Sequence, residues 1–300
     1  MEHKNTPFVS VITVNYRQNN VTLDFLASFT QVDYPAFEII VVDNAAIGSE
    51  LQNDISAKFS SFPVSYIRIE ANLGFAGGNN VGVKRSKGDY ILFINNDTEV
   101  PVDILTKLLQ VFEKYPDAGM VSPKLLFYES GLIQYAGAIR INALTGRGRK
   151  IGFGETDSGQ YSETRVTDLG HGAAMMLPRK IIDKVGMMPE IFFLYYEEHD
   201  WGEQVKRAGF KIYYCATTFV RHKESMTIGK QSLIKTYYMN RNRLIYVRRN
   251  TSGLTKLIAL SFYLLLALPK QLAVFALKRQ WDHFWEVLKA LKWNMSHKSS

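Results

Sequence analysis

Residues 88–100, GDYILFINNDTEV, decide how the rest of the chain is read. The segment opens on a turn residue, runs through Tyr90-Ile91-Leu92-Phe93-Ile94 and stops in Asn95-Asn96-Asp97-Thr98-Glu99. A short continuous apolar run bounded by turn residues is the pattern of a fully buried strand in a parallel sheet. In open α/β sheets ligands bind beyond the carboxyl ends of the strands, which puts Asp97 at the ligand edge. A hard carboxylate at that place suits Mg²⁺ or Mn²⁺ bridging two phosphates. The same polar residues also make a turn and a helix cap ahead of Pro101. The flanking chain decides between these readings.

Upstream, residues 8–16 (FVSVITVNY), 37–42 (FEIIVV, ending in Asp43-Asn44) and 64–69 read as further strands. Asn19-Asn20 stand where a helix cap belongs, ahead of the 3.6-spaced Val21, Leu23, Phe25, Leu26 and Phe29. Residues 44–59 read as a loop and short helix, and residues 72–82, NLGFAGGNNVG, as a glycine-rich loop leading into another. Downstream, Leu105, Leu108, Leu109 and Phe112 give an amphipathic helix over residues 102–115. Residues 142–159 are rich in Gly and Arg without periodicity, and read as a mobile substrate loop. A strand follows over residues 171–177, with Pro178 at the first position of a helix ending near Gly186. In FFLYYEEHDWGEQVKRAG (residues 192–209) the first part reads as extended and residues 198–208 as a helix ended by Gly209. Residues 211–220 read as a strand leading into Arg221-His222, and residues 232–249 as a basic, aromatic helix. Strands alternating with helical patterns predict an α/β fold, a mostly parallel sheet covered by helices.

Charge separates this body from the tail. Residues 241–300 hold 11 of the 36 Lys and Arg and 2 of the 28 Asp and Glu, a balance of +9 against −1 for the first 240. The basicity belongs to the tail, so no nucleic-acid partner is expected. Residues 257–269 carry no charge, and Lys270 interrupts the apolar run before residues 271–277. That is short for a membrane span, which needs about 20 apolar residues. With Lys278, Arg279, Trp281, Trp285, Lys289, Lys292 and Trp293 the segment resembles an interfacial helix resting on an anionic membrane surface. The alternative is a hairpin packed on the protein's own surface. The expected organisation is a catalytic domain over residues 1–250 and a basic amphipathic helical segment over 251–300. Cys215 is the only cysteine, which excludes an internal disulfide and fits a reducing compartment. The first residues, MEHKNTPFVS, have no apolar core of a signal peptide.

Four constellations carry chemistry. Asp43, after a buried strand, is either a cap or an acceptor for the N3–H of a pyrimidine. Gly74, Gly77, Gly78 and Gly82 allow close backbone approach to a nucleotide, and a helix start near Asn79 favours anions. Neither the dinucleotide fingerprint nor the P-loop pattern occurs. Glu197, Glu198 and Asp200 are either surface acids that complement a helix dipole, or carboxylates desolvated by Phe192, Phe193, Tyr195, Tyr196 and Trp201 toward general-base duty. His222 is either a satisfied histidine or, beside a carboxylate such as Asp97, a ligand for a transition metal.

VSVITVNY, VVDN, NLGFAGGNNVG, FINNDTEV, GHGAAMMLPRK, FFLYYEEHDWGEQVKRAG and FVRH follow one another in the order and spacing of family 2 glycosyltransferases. Over residues 8–250 the chain resembles that family, most closely its rhamnosyltransferase-like, non-processive members that build bacterial surface polysaccharides. The resemblance implies a GT-A fold, a UDP- or dTDP-linked sugar donor, a glycan or lipid-linked acceptor, Mn²⁺ or Mg²⁺, and inversion by a single displacement. By position, Asn15, Tyr16 and Asp43 would frame the base. Asn72, Gly74, Gly78 and Asn79 would surround the ribose and phosphates, with Asn96 also in the donor site. Asp97 stands at the metal-binding end of the family's D-x-D element and His222 at its later metal-ligand histidine. Glu198 takes the place of the catalytic base.

Two departures matter. The D-x-D element reads Asn95-Asn96-Asp97, with one carboxylate, and the base is Glu rather than Asp, which keeps Asp200 as a reserve. The Q-x-x-R-W signature of processive synthases is absent, and YMNRNR (residues 238–243) stands near its place, favouring addition of a single sugar. The implied enzyme works in the cytoplasm, peripherally on the inner face of the membrane. Two other readings stay open. A sugar-nucleotidyltransferase shares the nucleotide and metal requirements but lacks its basic loop where VNYRQNN stands. A degenerate sugar-nucleotide-binding scaffold would fit the asparagine-rich NND element.

Overall fold

The computed structural model describes residues 6–297 apart from 47, 49, 143 and 224–231. Residues 1–5, on which the expected lack of a signal sequence partly rests, lie outside the described residues. The first half alternates as expected: β1 (Val9–Asn15), α1 (Asn19–Phe29), β2 (Phe37–Asn44), α2 (Glu50–Lys58), β3 (Val64–Ile69), α3 (Gly74–Arg85) and β4 (Tyr90–Ile94). β4, β1, β2 and β3 lie side by side and all parallel. Val9, Val11, Ile12, Ile91, Leu92 and Phe93 are fully buried, because helices cover both faces.

Then come the two-residue β5 (Thr98–Glu99), α4 (Ile104–Lys114), β6 (Ala118–Phe127), β7 (Ile133–Tyr135), β8 (Ala138–Asn142), β9 (Arg147–Lys150), β10 (Arg165–Thr167) and β11 (Ala174–Pro178). α5 (Arg179–Val185), α6 (Glu197–Arg207), β12 (Lys211–His222) and α7 (Leu233–Asn250) complete the body. In α4, Ile104, Leu105 and Leu108 are fully buried, and each contributes roughly 1.5–3 kcal/mol to holding the helix on the sheet. The ten-stranded sheet runs β10-β12-β6-β11-β4-β1-β2-β3, with β5 and β7 on its margins. β11 enters antiparallel between β4 and β6, so the second half is mixed rather than parallel. β6 and β12 remain parallel to each other.

Three local readings change. Asn19 and Asn20 lie inside α1, whose N-cap is Gln18. The orphan Gln18 N–H is met instead by Asn15 Oδ1 at 3.1 Å. The glycine-rich stretch is itself α3, because a side chain at Gly82 would collide with Ile12 and one at Gly78 would come within 2.9 Å of Val14. Absent side chains let this helix press on β1. Residues 142–159 are not wholly irregular either, since β8 and β9 pair as an antiparallel hairpin.

The C-terminal helices are α8 (Gly253–Phe262), a π-helical stretch (Tyr263–Ala267), α9 (Leu268–Leu277) and α10 (Trp281–Ser296). The first three form one helix of 25 residues, long and apolar enough to cross a membrane by length and composition, and mostly uncovered by protein. Pro269 has no N–H for the preceding turn, and the wider π turns precede it. Leu244 of α7 packs with Tyr263, Leu268 and Val287. Asn294 of α10 donates to Arg241 O at 3.1 Å and accepts from Arg248 at 3.0 Å.

Candidate active site

A cleft of about 880 Å³ opens at the carboxyl ends of β1, β2 and β4. On the sheet side it is lined by Tyr16, Asn44, Asn72, Gly74, Asn96 and Asp97. Asn44 Oδ1 accepts from Leu73 N (2.8 Å), and its Nδ2 donates to Asn72 Oδ1 (3.0 Å) and Gly74 O (3.1 Å). The end of β2 thus clamps the start of α3. The sequence showed Asn44 only as the polar end of a strand.

Other predicted donor residues stand just behind the lining. Asp43 is buried, and its carboxylate accepts from Asn15 Nδ2 at 2.8 Å and from the Tyr66 hydroxyl at 2.7 Å. Asn15 Oδ1 accepts from Thr22 Oγ1 (2.9 Å), and Asn96 Nδ2 donates to Thr22 Oγ1 (2.8 Å). Asn79 is buried and donates to Phe75 O at 2.9 Å. Asn15, Asp43, Gly78 and Asn79 therefore do not line the cleft. They hold the residues that do.

Asp97 and His222 meet, because β5 pairs antiparallel with the end of β12. His222 Nε2 lies 3.1 Å from Asp97 Oδ1, an oxygen with no hydrogen-bond partner. Gln134 Oε1 accepts from His222 Nδ1 at 2.8 Å, and Asn95 Nδ2 lies 3.4 Å from Nε2. Asp97 and His222 are 7% and 6% exposed. A carboxylate beside an imidazole fits Mn²⁺, and the buried second-sphere amide is the usual support of a ligating histidine. No third His, Cys, Asp or Glu joins them among the described residues. That fits a cation that keeps open positions for substrate phosphates and water.

The opposite wall carries the acids. Residues 190–192 make one turn of 3₁₀ helix rather than an extended run, and Phe193, Tyr195 and Tyr196 then all take positive φ (62°, 69°, 75°). Such conformations are costly for bulky residues and persist only when the surroundings impose them. Two side chains of α7 do so. Asn242 Nδ2 donates to the carbonyls of Phe192, Leu194 and Tyr195, and Arg241 Nη2 to those of Ile191 and Phe192. The loop presents Glu197 and Glu198 to the cleft, each with an Oε2 lacking a partner. Burial, then the charge of Glu198, pushes the Glu197 carboxyl well above the usual range. Asp200 points elsewhere. Fully buried, it takes Arg249 in two contacts of 3.1 Å, with Asn250 at 2.6 Å and Gln204 at 2.9 Å.

Residues missed in the sequence complete the cleft. The β8–β9 hairpin adds Arg147, Arg149 and Lys150, and α7 adds Lys235 and Arg243. His171 accepts from Ala173 N through Nδ1 (3.1 Å), and Lys150 Nζ lies 2.8 Å from its Nε2. Burial, then Lys150, holds His171 well below its ordinary value. The RGRK pattern was visible as basic, but nothing local aimed it at the acids.

The mixed α/β sheet thus carries, at the carboxyl ends of its strands, one cleft with an asparagine-framed edge, a carboxylate–imidazole pair and two glutamates. The model of the family "Glycosyl transferase family 2" matches residues 10–186, and the chain belongs to that family. It is 26% identical over 246 residues to the low-salt glycan biosynthesis hexosyltransferase Agl10 of Haloferax volcanii, covering 79% of this chain and 74% of that one. It is 34% identical over 113 residues to an uncharacterized glycosyltransferase of Haemophilus influenzae, there covering only 38% and 37%. Among solved structures, the mannosyltransferase PcManGT of Pyrobaculum calidifontis, in complex with GDP-Man and Mn²⁺, superposes with a TM-score of 0.60 at 15% identity, over 99% of this chain and 77% of that one. S. aureus TarS with UDP-GlcNAc gives 0.60 at 17%, over 95% and 79%. At such identities the likeness shows the fold, which is GT-A.

Proposed function

We propose that this glycosyltransferase transfers a single sugar, with inversion, from a UDP- or dTDP-linked donor to a lipid-linked or polysaccharide acceptor, in the manner of the rhamnosyltransferase-like members. The observation that carries the reading is that one cleft brings together Asp97 Oδ1 beside His222 Nε2 and the unpartnered Oε2 of Glu198. Asp97 and His222 would hold Mn²⁺ or Mg²⁺. When bound, the cation supplies neutralisation of diphosphate charge. Tyr16, Asn72, Gly74 and Asn96 bind the donor, supported from behind by Asn15, Asp43, Gly78 and Asn79. Glu198 removes the proton of the acceptor hydroxyl as it attacks the anomeric carbon, and the nucleoside diphosphate departs from the opposite side. The engagement of Asp200 by Arg249 favours Glu198 over it.

The segment over residues 251–300 rests on the anionic inner face of the membrane in this reading, with the catalytic body over 1–250. Leu254, Leu257, Leu265 and Leu266 point outward at 61–72% exposure, beside a basic tail. Thermal stabilisation by UDP-, dTDP- and GDP-sugars, each with and without Mn²⁺, tests the donor site. A selective, Mn²⁺-dependent rise with one UDP- or dTDP-sugar, together with its slow hydrolysis, is expected. No response to any of them refutes the reading.

A further inference from the structure

A second cavity, of about 860 Å³, lies between the β8–β9 hairpin and the corner joining α7 to α8. It shares Ile141, Arg147, Gly148 and Arg149 with the catalytic cleft, so the hairpin is a wall common to both. Arg140 belongs to the second cavity alone, and Thr251, Ser252 and Thr255 face it from the corner. No Asp or Glu lines it among the described residues. Arg140, Arg147 and Arg149 are exposed and, among the described residues, have no ion-pair partner. Asp168 Oδ2 accepts from Arg140 N at 2.9 Å, but no carboxylate pairs with the three guanidiniums among the described residues. Together they suit a multiply charged anion, because each presents a planar fork matched to phosphate oxygens.

The neighbouring surface says what else the ligand carries. α8 starts at this corner, and its Leu254, Leu257 and Ile258 are 71%, 63% and 49% exposed. A free anion makes no use of that apolar strip. A phosphate ester on a long apolar chain uses both.

We infer that this cavity holds the phosphate or diphosphate of a lipid-borne acceptor, with the lipid along Leu254, Leu257 and Ile258 of α8 and the sugar passing the hairpin into the cleft. The inference rests on the proposed transferase reading and narrows its acceptor to the lipid-linked class. Arg147 and Arg149 then touch the acceptor's phosphate at the wall that the two cavities share. An ordinary phospholipid diester offers one negative charge to three arginines. A monoester or diphosphate offers two or more.

Full-length protein is floated with phosphatidylcholine vesicles containing either dioleoyl phosphatidic acid, a phosphate monoester, or phosphatidylglycerol, a diester, at matched surface potential. Binding about tenfold tighter to the phosphatidic acid vesicles is expected, the scale of one or two added charge-assisted contacts. Arg140→Gln with Arg149→Gln should abolish the preference and leave the phosphatidylglycerol binding. Both residues are exposed, and melting curves of the variant check its fold. Equal binding to the two vesicles, or a preference that survives the double substitution, overturns the inference. Donor stabilisation of the unsubstituted protein in the same preparation separates the two failures. If it is present, only the lipid-phosphate assignment falls; if it is absent, the transferase reading falls and takes this one with it.

Discussion

Asn242→Ala removes one carboxamide from beneath the loop that presents the two glutamates. Its Nδ2 donates to Phe192 O at 2.9 Å, Leu194 O at 2.7 Å and Tyr195 O at 2.8 Å. Phe192 O keeps Arg241 Nη2 at 2.7 Å, so the truncation takes the Asn242 donor away from two carbonyls, those of Leu194 and Tyr195. A buried carbonyl left unsatisfied costs about 1–3 kcal/mol. Both residues are half-buried, so water reaches part of each group and the lower end applies, about 2–3 kcal/mol for the two together. The larger effect is on geometry. Phe193, Tyr195 and Tyr196 hold positive φ against their own preference, and without the clamp they relax and carry Glu197 and Glu198 with them. A displacement of about 1 Å costs on the order of a hundredfold in turnover. Urea unfolding and donor–acceptor kinetics read the two effects separately. The midpoint should fall, kcat should fall far more, and the KM for the donor should move little, because Asp97 and His222 are held by β5 and β12. Asn242→Asp should be worse than Ala, since it sets a carboxylate against three carbonyl oxygens. An Asn242→Ala protein with the parent's midpoint and kcat would refute the reasoning.

Glu198→Gln should lower turnover by roughly a hundredfold or more, the range of a lost general base, with donor affinity kept. If it turns over normally while a folded Asp200→Asn is dead, the base moves to Asp200. Asp97→Ala should remove most activity and His222→Ala should shift the Mn²⁺ titration; an unshifted titration would make His222 structural. Glu197 is pushed up by burial and by Glu198, so the folded state keeps a proton that the unfolded chain releases. Stability is therefore lost as pH rises from the ordinary carboxylate value, about 4.3, toward the folded one. Glu197→Gln cannot ionise and should melt above the parent at pH 8, with the gap closing toward pH 4; a gap constant with pH contradicts this. Leu254→Glu with Leu257→Glu and Leu265→Glu should abolish vesicle flotation without unfolding, since all three are exposed, and undiminished flotation would remove the membrane from the reading.

β1, β2 and β4 were legible because burial on both faces writes itself as unbroken apolar runs, and the partly exposed β3 was read residue for residue, whereas the buried β6 (Ala118–Phe127) was not read as a strand. The end of β4 also located Asp97 correctly, through the rule that ligands gather at carboxyl edges. The β8–β9 hairpin was not legible. Its Arg-Gly-Arg-Lys strand carries no alternation of apolar residues, because it forms a wall between two cavities instead of a lid on a core. The start of α3 was placed near Asn79 rather than at Gly74, because four glycines among its twelve residues argue against a helix on propensity. Contact with Ile12 and Val14 overrides that propensity. Arg241 and Asn242 were read only as part of a basic, aromatic helix, yet they are 7% and 0% exposed. Only their carbonyl partners, some fifty residues upstream, explain them. Gln134 left no signal at all, since a single amide on a three-residue strand has no pattern to break.

The two halves of the cleft are joined at one carbonyl. Phe193 O accepts from Phe75 N at 2.7 Å, and Gly74, at φ +71°, lies so close that any side chain there would collide with that oxygen and with the Phe193 ring. The same ring stacks on Tyr238 of α7 at 5.1 Å between centroids. The donor-side helix, the acid loop and α7 thus meet at Phe193, and backbone contacts set the span between the proposed metal pair and the proposed base. A base one methylene longer than Asp has then to be absorbed locally, without moving either wall. Beside Glu198, an added Cβ at Gly172 would stand 3.5 Å from Oε1, ordinary van der Waals contact, so the longer acid fits its surroundings without requiring a glycine at that place.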